Sequence, residues 1–333
     1  MATRTDQLDR GQADAEQADA QGHDGGGSDG GRLDAAAVAL LVSGMACFGS
    51  ATPVSRVVGR SFPVWLGSGA RMVVAILVLV PALLLWKGRH GGLVSDLRST
   101  SGGDRLLLLG MGAIGTFAFS VLMLLGMREA PGSVGAVVMA MTPAVTAVGA
   151  AVFLRDRLGW VRIVAIVLAV AGVVVVNVGL DPAQGSGDRP ALGSLLVFGA
   201  VCCEATYSLM GKRLTSDLDP LTITLAAAAV AFVLLLPLAA WDATTFRPST
   251  PDVGEWIALV WWGAGTMALG SVLWFFGMRR VSGATAAPFM AVMPLSALLL
   301  SYLVLGEPFH PVHLAGIGLV LVGLLLVVTH DDD

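Results

Sequence analysis

Glu204 is the only charged residue in the run ALGSLLVFGAVCCEATYSLMG, residues 191–211. If that run is a helix, its carboxyl lies about 20 Å from one end and about 12 Å from Lys212 at the other. A short side chain cannot reach water from that depth. An acid so placed needs a polar cavity, a counter-charge or a proton, which marks it as a functional candidate. The structural alternative is a carboxyl that pins helix packing. Tyr207 stands three residues on, so a phenol shares the helix face with the carboxylate and can hydrogen-bond it or a ligand, or simply pack.

Arg71, in GSGARMVV, is the second deep charge. Its planar fork suits a bidentate contact with a substrate carboxylate. Its length also lets it bridge toward Glu204 or bond backbone carbonyls of a neighbouring helix, and these three readings stand side by side. Trp274, with Phe275 and Phe276, either walls a cavity or packs. Pro143 and Pro294 each remove a backbone hydrogen bond from an apolar helix and leave a carbonyl free, as a hinge or a fixed kink does.

Other chemistries lack their residues. Membrane-embedded hydrolases and transferases need clustered nucleophiles, metal ligands or carboxylate pairs, and here one deep acid stands without a histidine. Cys47, Cys202 and Cys203 have no CxxC spacing and no nearby histidine, so no metal is expected. No GK[ST] ending closes a glycine-rich loop, so an ATP-binding P-loop is not expected, and no cofactor or nucleic-acid partner is implied.

The elements that must carry these residues follow from composition. Of 333 residues 55% are hydrophobic and 13% charged, the balance of a polytopic membrane protein rather than a soluble domain. Ten apolar runs, about 34–56, 62–86, 105–127, 130–154, 160–179, 191–211, 220–241, 254–277, 283–305 and 312–329, are each long enough to cross a hydrocarbon core as a helix. Trp86, Trp160, Trp241 and Trp256 flank them as interface residues do. Residues 1–33, rich in Gly, Asp, Gln and Ala, are expected to be a disordered acidic tail without the apolar stretch of a signal peptide, and 330–333 a short C-terminal tail. Placing both termini in the cytoplasm leaves only Arg56, Arg60, Arg128, Arg189 and Arg247 in the outer loops, with the other basic residues inside and Arg71 within a helix. This is the orientation the positive-inside rule favours.

The chain also repeats. Gly126-Met127-Arg128 recurs as Gly277-Met278-Arg279, Ser120-Val121 as Ser271-Val272, Pro143 as Pro294 and Gly172 as Gly323, all 151 residues apart. Two repeats, 34–180 and 190–329, then hold five helices each, and an odd number inserts them in opposite orientations. The charges agree, since the loop LRDRLGW around Asp156 carries arginines and its counterpart LGEPFHP around Glu307 carries none. Both acids precede a fifth helix, whose positive end an acid offsets.

Two five-helix halves, each with a proline in its fourth helix, an acid thirteen residues later (Pro143…LRDRL, Pro294…LGEPF) and a glycine-rich fifth helix, resemble the EamA-like branch of the drug/metabolite transporter superfamily. The likeness spans about 34–329. It implies an all-α membrane fold of ten helices in two inverted repeats, a central cavity, and export of amino acids or other small metabolites across the cytoplasmic membrane by alternating access. Arg71 matches an arginine the family often carries in its second helix, whose repeat position falls at Ala227 or Ala228. Glu204 resembles the membrane-embedded glutamate of the small multidrug resistance proteins, which binds proton and cation in competition. Proton-coupled efflux of cationic drugs is therefore the second reading.

Overall fold

The computed structural model describes residues 35–87, 100–154, 160–179, 189–215, 218–281 and 286–330. The acidic tail, Asp156, Gly283 and the last three residues lie outside them. Among the described residues the chain is helical: α1 (Ala35–Val58), α2 (Val64–Lys87), α3 (Gly102–Glu129), α4 (Gly132–Met139 continued by Thr142–Leu154), α5 (Trp160–Gly179), α6 (Pro190–Leu214), α7 (Pro220–Ala243), α8 (Val253–Met278), α9 (a 3-10 turn Ala287–Ala291 running into Val292–Leu305) and α10 (Pro311–His330). Six of these, α1, α2, α3, α6, α7 and α8, are long and apolar enough to cross a membrane, and shorter apolar stretches lie in α4, α9 and α10. Trp86, Trp160, Trp241 and Trp256 are exposed, as side chains at a membrane interface are.

Helix starts follow from acids and prolines. Pro220 opens α7 behind Asp219, whose carboxylate accepts the Leu221 N–H. Asp252 and Glu255 form a capping box at the start of α8. Two starts are capped from elsewhere in the chain: Asp242 accepts the N–H groups of Trp65 and Leu66 at α2 (3.0 and 3.2 Å), and Glu307 those of Gly132 and Ser133 at α4 (2.7 and 2.8 Å). Glu307 thus serves the fourth helix of the first half, where the sequence placed it at the fifth helix of the second. Gly306 explains the change of direction: its φ of 64° ends α9 in the left-handed region that glycine enters without steric penalty, and the next carboxylate leaves the helix axis.

The prolines expected inside helices 4 and 9 instead sit in first turns. Helix α4 breaks at Ala140 and Met141, so Pro143 is the second residue of Thr142–Leu154, where a missing N–H leaves no helical bond unmade. The Met139 carbonyl it would have engaged accepts the Thr142 hydroxyl at 2.7 Å. Pro294 is the third residue of Val292–Leu305, just past the 3-10 turn.

Packing repeats under exchange of the halves. Helix α2 packs on α7, α4 on α9 and α5 on α10; α3 packs on α6 and α7 as α8 packs on α1 and α2. Both α3 and α8 contain a π-helical stretch, Met111–Ala118 and Trp262–Gly270, beginning 151 residues apart. Close approaches repeat too. A Cβ on Gly112 would meet the Ala227 carbonyl at 2.9 Å and the Val230 Cβ at 2.5 Å; one on Gly263 would meet the Arg71 carbonyl at 2.6 Å and the Val74 Cβ at 2.7 Å. Small residues there let the backbones touch. These twins set the register of helices α1 and α2 against α6 and α7 at 156, not 151, because residues 88–101 between α2 and α3 number five more than 244–252 between α7 and α8. The counterpart of Arg71 is therefore Ala227.

Candidate functional site

Arg71 is 3% exposed and is held by three acceptors from two helices. Its Nη1 donates to Ser120 Oγ (2.7 Å), its Nη2 to Thr266 Oγ1 (3.4 Å) and its Nε to the Trp262 carbonyl (3.2 Å). The two hydroxyls are preset for this. Ser120 gives its own proton to the Thr116 carbonyl and Thr266 gives its proton to the Trp262 carbonyl, each four residues back, so their lone pairs are left for the guanidinium. The rings of Trp262 and Phe119 lie 4.7 and 5.4 Å from the guanidinium carbon, within cation–π range. Of five guanidinium N–H donors, two have no protein acceptor among the described residues.

Glu204 lies in α6 and is 9% exposed. Among the described residues its carboxyl makes no hydrogen bond and no ion pair. Arg71 and Glu204 therefore do not form a direct pair, yet both line one cavity with Tyr207, Thr266, Ser271, Phe48, Ala51, Gly115, Thr116, Phe119 and Met267. Tyr207 donates its hydroxyl to Ser271 Oγ at 3.1 Å, and the Phe275 ring supports it at a centroid distance of 5.5 Å. Trp274, expected as a wall, is 1% exposed in the apolar core and is not among the residues lining the cavity; its backbone lies against Gly44 of α1, and its Nε1 has no partner among the described residues.

The lining falls into exchange pairs. At the register of 156, Phe48 corresponds to Glu204 and Ala51 to Tyr207; at 151, Gly115 corresponds to Thr266 and Thr116 to Met267, and both members of each pair line the cavity. Ser120, which holds Arg71, corresponds to Ser271, which holds Tyr207. The cavity is thus lined by corresponding positions of both halves. Its charged groups break the equivalence. The Ser120–Ser271 match is visible in the sequence as part of the repeat, but nothing there shows that these serines grip the site. Trp262 and Thr266 carry no sequence signal at all.

The space between these side chains is about 30 Å³, room for about one or two water molecules. A metabolite does not fit in that volume.

The model of the EamA-like transporter family matches residues 35–178 and again residues 191–329. The chain is 29% identical over 292 residues to the uncharacterized transporter YetK of Bacillus subtilis, covering 88% of this chain and 86% of that one. It is 28% identical over 291 residues to the probable terminal-alkyne amino-acid exporter of Streptantibioticus cattleyicolor, covering 87% and 93%. A solved crystal structure superimposes with a TM-score of 0.59 at 21% identity, over 88% of this chain and 96% of the other, a likeness of fold alone.

Proposed function

We propose, from the premise that this chain belongs to the EamA-like transporter family, that it exports an amino acid or related small metabolite across the cytoplasmic membrane by alternating access. Ten crossings in two inverted halves, with both termini cytoplasmic, would carry the rocking motion. The first turns at Pro143 and Pro294 are the places where α4 and α9 bend. One observation supports the site assignment above others: Arg71, with two N–H groups unengaged among the described residues, and Glu204, with no partner among them, line the same cavity. The guanidinium matches a carboxylate and the carboxyl matches an ammonium, the two ends of an amino acid, with Tyr207 orienting the ligand. The amino-acid exporter among the relatives agrees with this reading. A volume of about 30 Å³ means that the halves must part before cargo enters.

The second reading is proton-coupled efflux of organic cations, and the lone Glu204 favours it, because a proton or a cation equally fills the place of a missing partner. Proteoliposomes decide. Amino acids and cationic dyes are screened with and without a pH gradient for the native chain, Glu204→Gln and Arg71→Lys. Amino-acid transport lost in Arg71→Lys supports the first reading. Dye efflux driven by the gradient and abolished in Glu204→Gln replaces it with the second. Transport unchanged in both variants removes the cavity from the mechanism.

A further inference from the structure

At the end of the bundle where α1 and α3 finish, a second cavity of about 310 Å³ opens between Arg56, Arg60, Arg128 and Glu307, with Met127 and Leu305 as apolar walls. Its charges are uneven. Glu307 is already committed to the Gly132 and Ser133 N–H groups, with Arg56 Nε at 3.8 Å from its carboxylate. A neighbouring acid, Asp242, is committed in the same way to α2. Arg56 and Arg128 are anchored to backbone carbonyls at helix ends, which fixes their planes without neutralising them. Arg60 is exposed, and its guanidinium makes no hydrogen bond or ion pair among the described residues.

We infer that this cavity is an anion-binding vestibule that takes the carboxylate of a small organic acid at the mouth of the pathway. Glu307 shows what the surroundings accept, for the chain's own carboxylate sits here on two N–H groups beside a guanidinium. Of the groups lining the cavity three are guanidiniums and one is a carboxylate already engaged, while Asp242 and Glu129, the acids that act on Arg128, are not in the lining; the groups facing the space therefore draw a second anion, and rigid guanidiniums bind it in a plane. The space is some ten times that of the central cavity, enough for a metabolite rather than a water. The inference does not depend on how Glu204 and Arg71 act.

The test uses the full chain in phosphatidylcholine nanodiscs and benzoate as probe, read by saturation-transfer NMR, with benzyl alcohol and benzylammonium as controls. Benzoate is expected to bind, more weakly as salt rises, while the controls do not. Arg60→Gln weakens it several-fold and Arg60→Glu tenfold or more, while Arg60→Lys retains most of it. Arg60 is exposed and holds no other element, so these variants fold. Benzoate binding equal in Arg60→Glu and native chain overturns the proposal, as does equal binding of benzyl alcohol. Loss in Arg71→Gln with retention in Arg60→Glu also overturns it, by placing the carboxylate in the central cavity and leaving the proposed function standing. Displacement of benzoate by phosphatidylglycerol in the nanodisc assigns the vestibule to a lipid phosphate and overturns the metabolite site.

Discussion

Arg56 and Arg128 exchange helix ends: Arg56, near the end of α1, donates to the Met127 and Ala130 carbonyls that finish α3, and Arg128, near the end of α3, donates to the Gly59 and Phe62 carbonyls that follow α1. Each guanidinium supplies the protons that the other helix's last turn lacks, and each places a cation at a negative helix end. Two reciprocal commitments of this kind lock the ends of α1 and α3 together through backbone carbonyls, with Glu307 3.8 Å from Arg56 as the acid beside them.

Arg128→Gln removes two charge-assisted hydrogen bonds, and the expected loss is about 2–4 kcal/mol, at roughly 1.5–3 kcal/mol for each bond to a charged group less what water recovers at this partly exposed edge. Arg128→Lys should restore little, since one ammonium cannot follow both Gly59 and Phe62 as the fork does. Thermal unfolding in detergent gives the comparison. A lysine variant as stable as the native chain would mean that charge alone, and not the fork, ties these ends.

Ser120 is expected to act on transport only through Arg71. Ser120→Ala leaves Nη1 without its shortest bond and should lower transport about tenfold, whereas the same change added to Arg71→Lys should have little further effect. The double-mutant cycle in proteoliposomes measures the coupling. Additive losses would separate the serine from the guanidinium.

Gly112→Ala and Gly263→Ala should destabilise by similar amounts, on the order of 1–3 kcal/mol each, because each new methyl meets a backbone carbonyl and a β-branched side chain that cannot withdraw. Gly318→Ala is the control, since a Cβ there meets nothing within 4 Å. Unequal losses at 112 and 263, read from melting temperatures, would show that the two halves pack less alike than their contacts indicate.

The register also makes Ala227 an instructive site. Ala227→Arg puts a second guanidinium at the counterpart of Arg71, where the acceptor equivalent to Thr266 is Gly115 and Tyr207 already holds the serine. A buried charge left without partners costs about 3–5 kcal/mol, so the variant should unfold at a clearly lower temperature, whereas Ala227→Ser should not. A stable Ala227→Arg chain would mean that α7 can turn this position to a wet surface.

Much of this was legible before any coordinates. Hydropathy alone placed the helical segments within a few residues, as at 34–56 against Ala35–Val58, because long apolar runs have few other solutions. The depth of Glu204 and Arg71 put both in one cavity. What failed was rotation and register. Trp274 follows a π-helical stretch, whose wider turns an ideal helical wheel does not describe, and it is buried in the apolar core instead of lining the cavity. The offset of 151 holds only from α3 onward; the change to 156 is written in α2 and α7 by Pro81 and Pro237, with Val74–Val230 and Leu79–Leu235 beside them, but among so many common membrane residues this short match is easily passed over. Capping of α4 by Glu307 was hidden because its partner is a backbone amide, which no side-chain pattern encodes.

The pairing of corresponding positions in the central cavity has a consequence for how such a site can be altered. In a pair of identical subunits every substitution strikes twice, so an arginine at the axis would face its own copy and a glutamate another glutamate. Here both halves share one polypeptide, and position 71 carries a guanidinium while position 227 carries a methyl, just as 204 carries a carboxyl and 48 a phenyl ring. A single chain can therefore offer a ligand with two unlike ends two unlike receptors, from a scaffold whose halves otherwise pack alike.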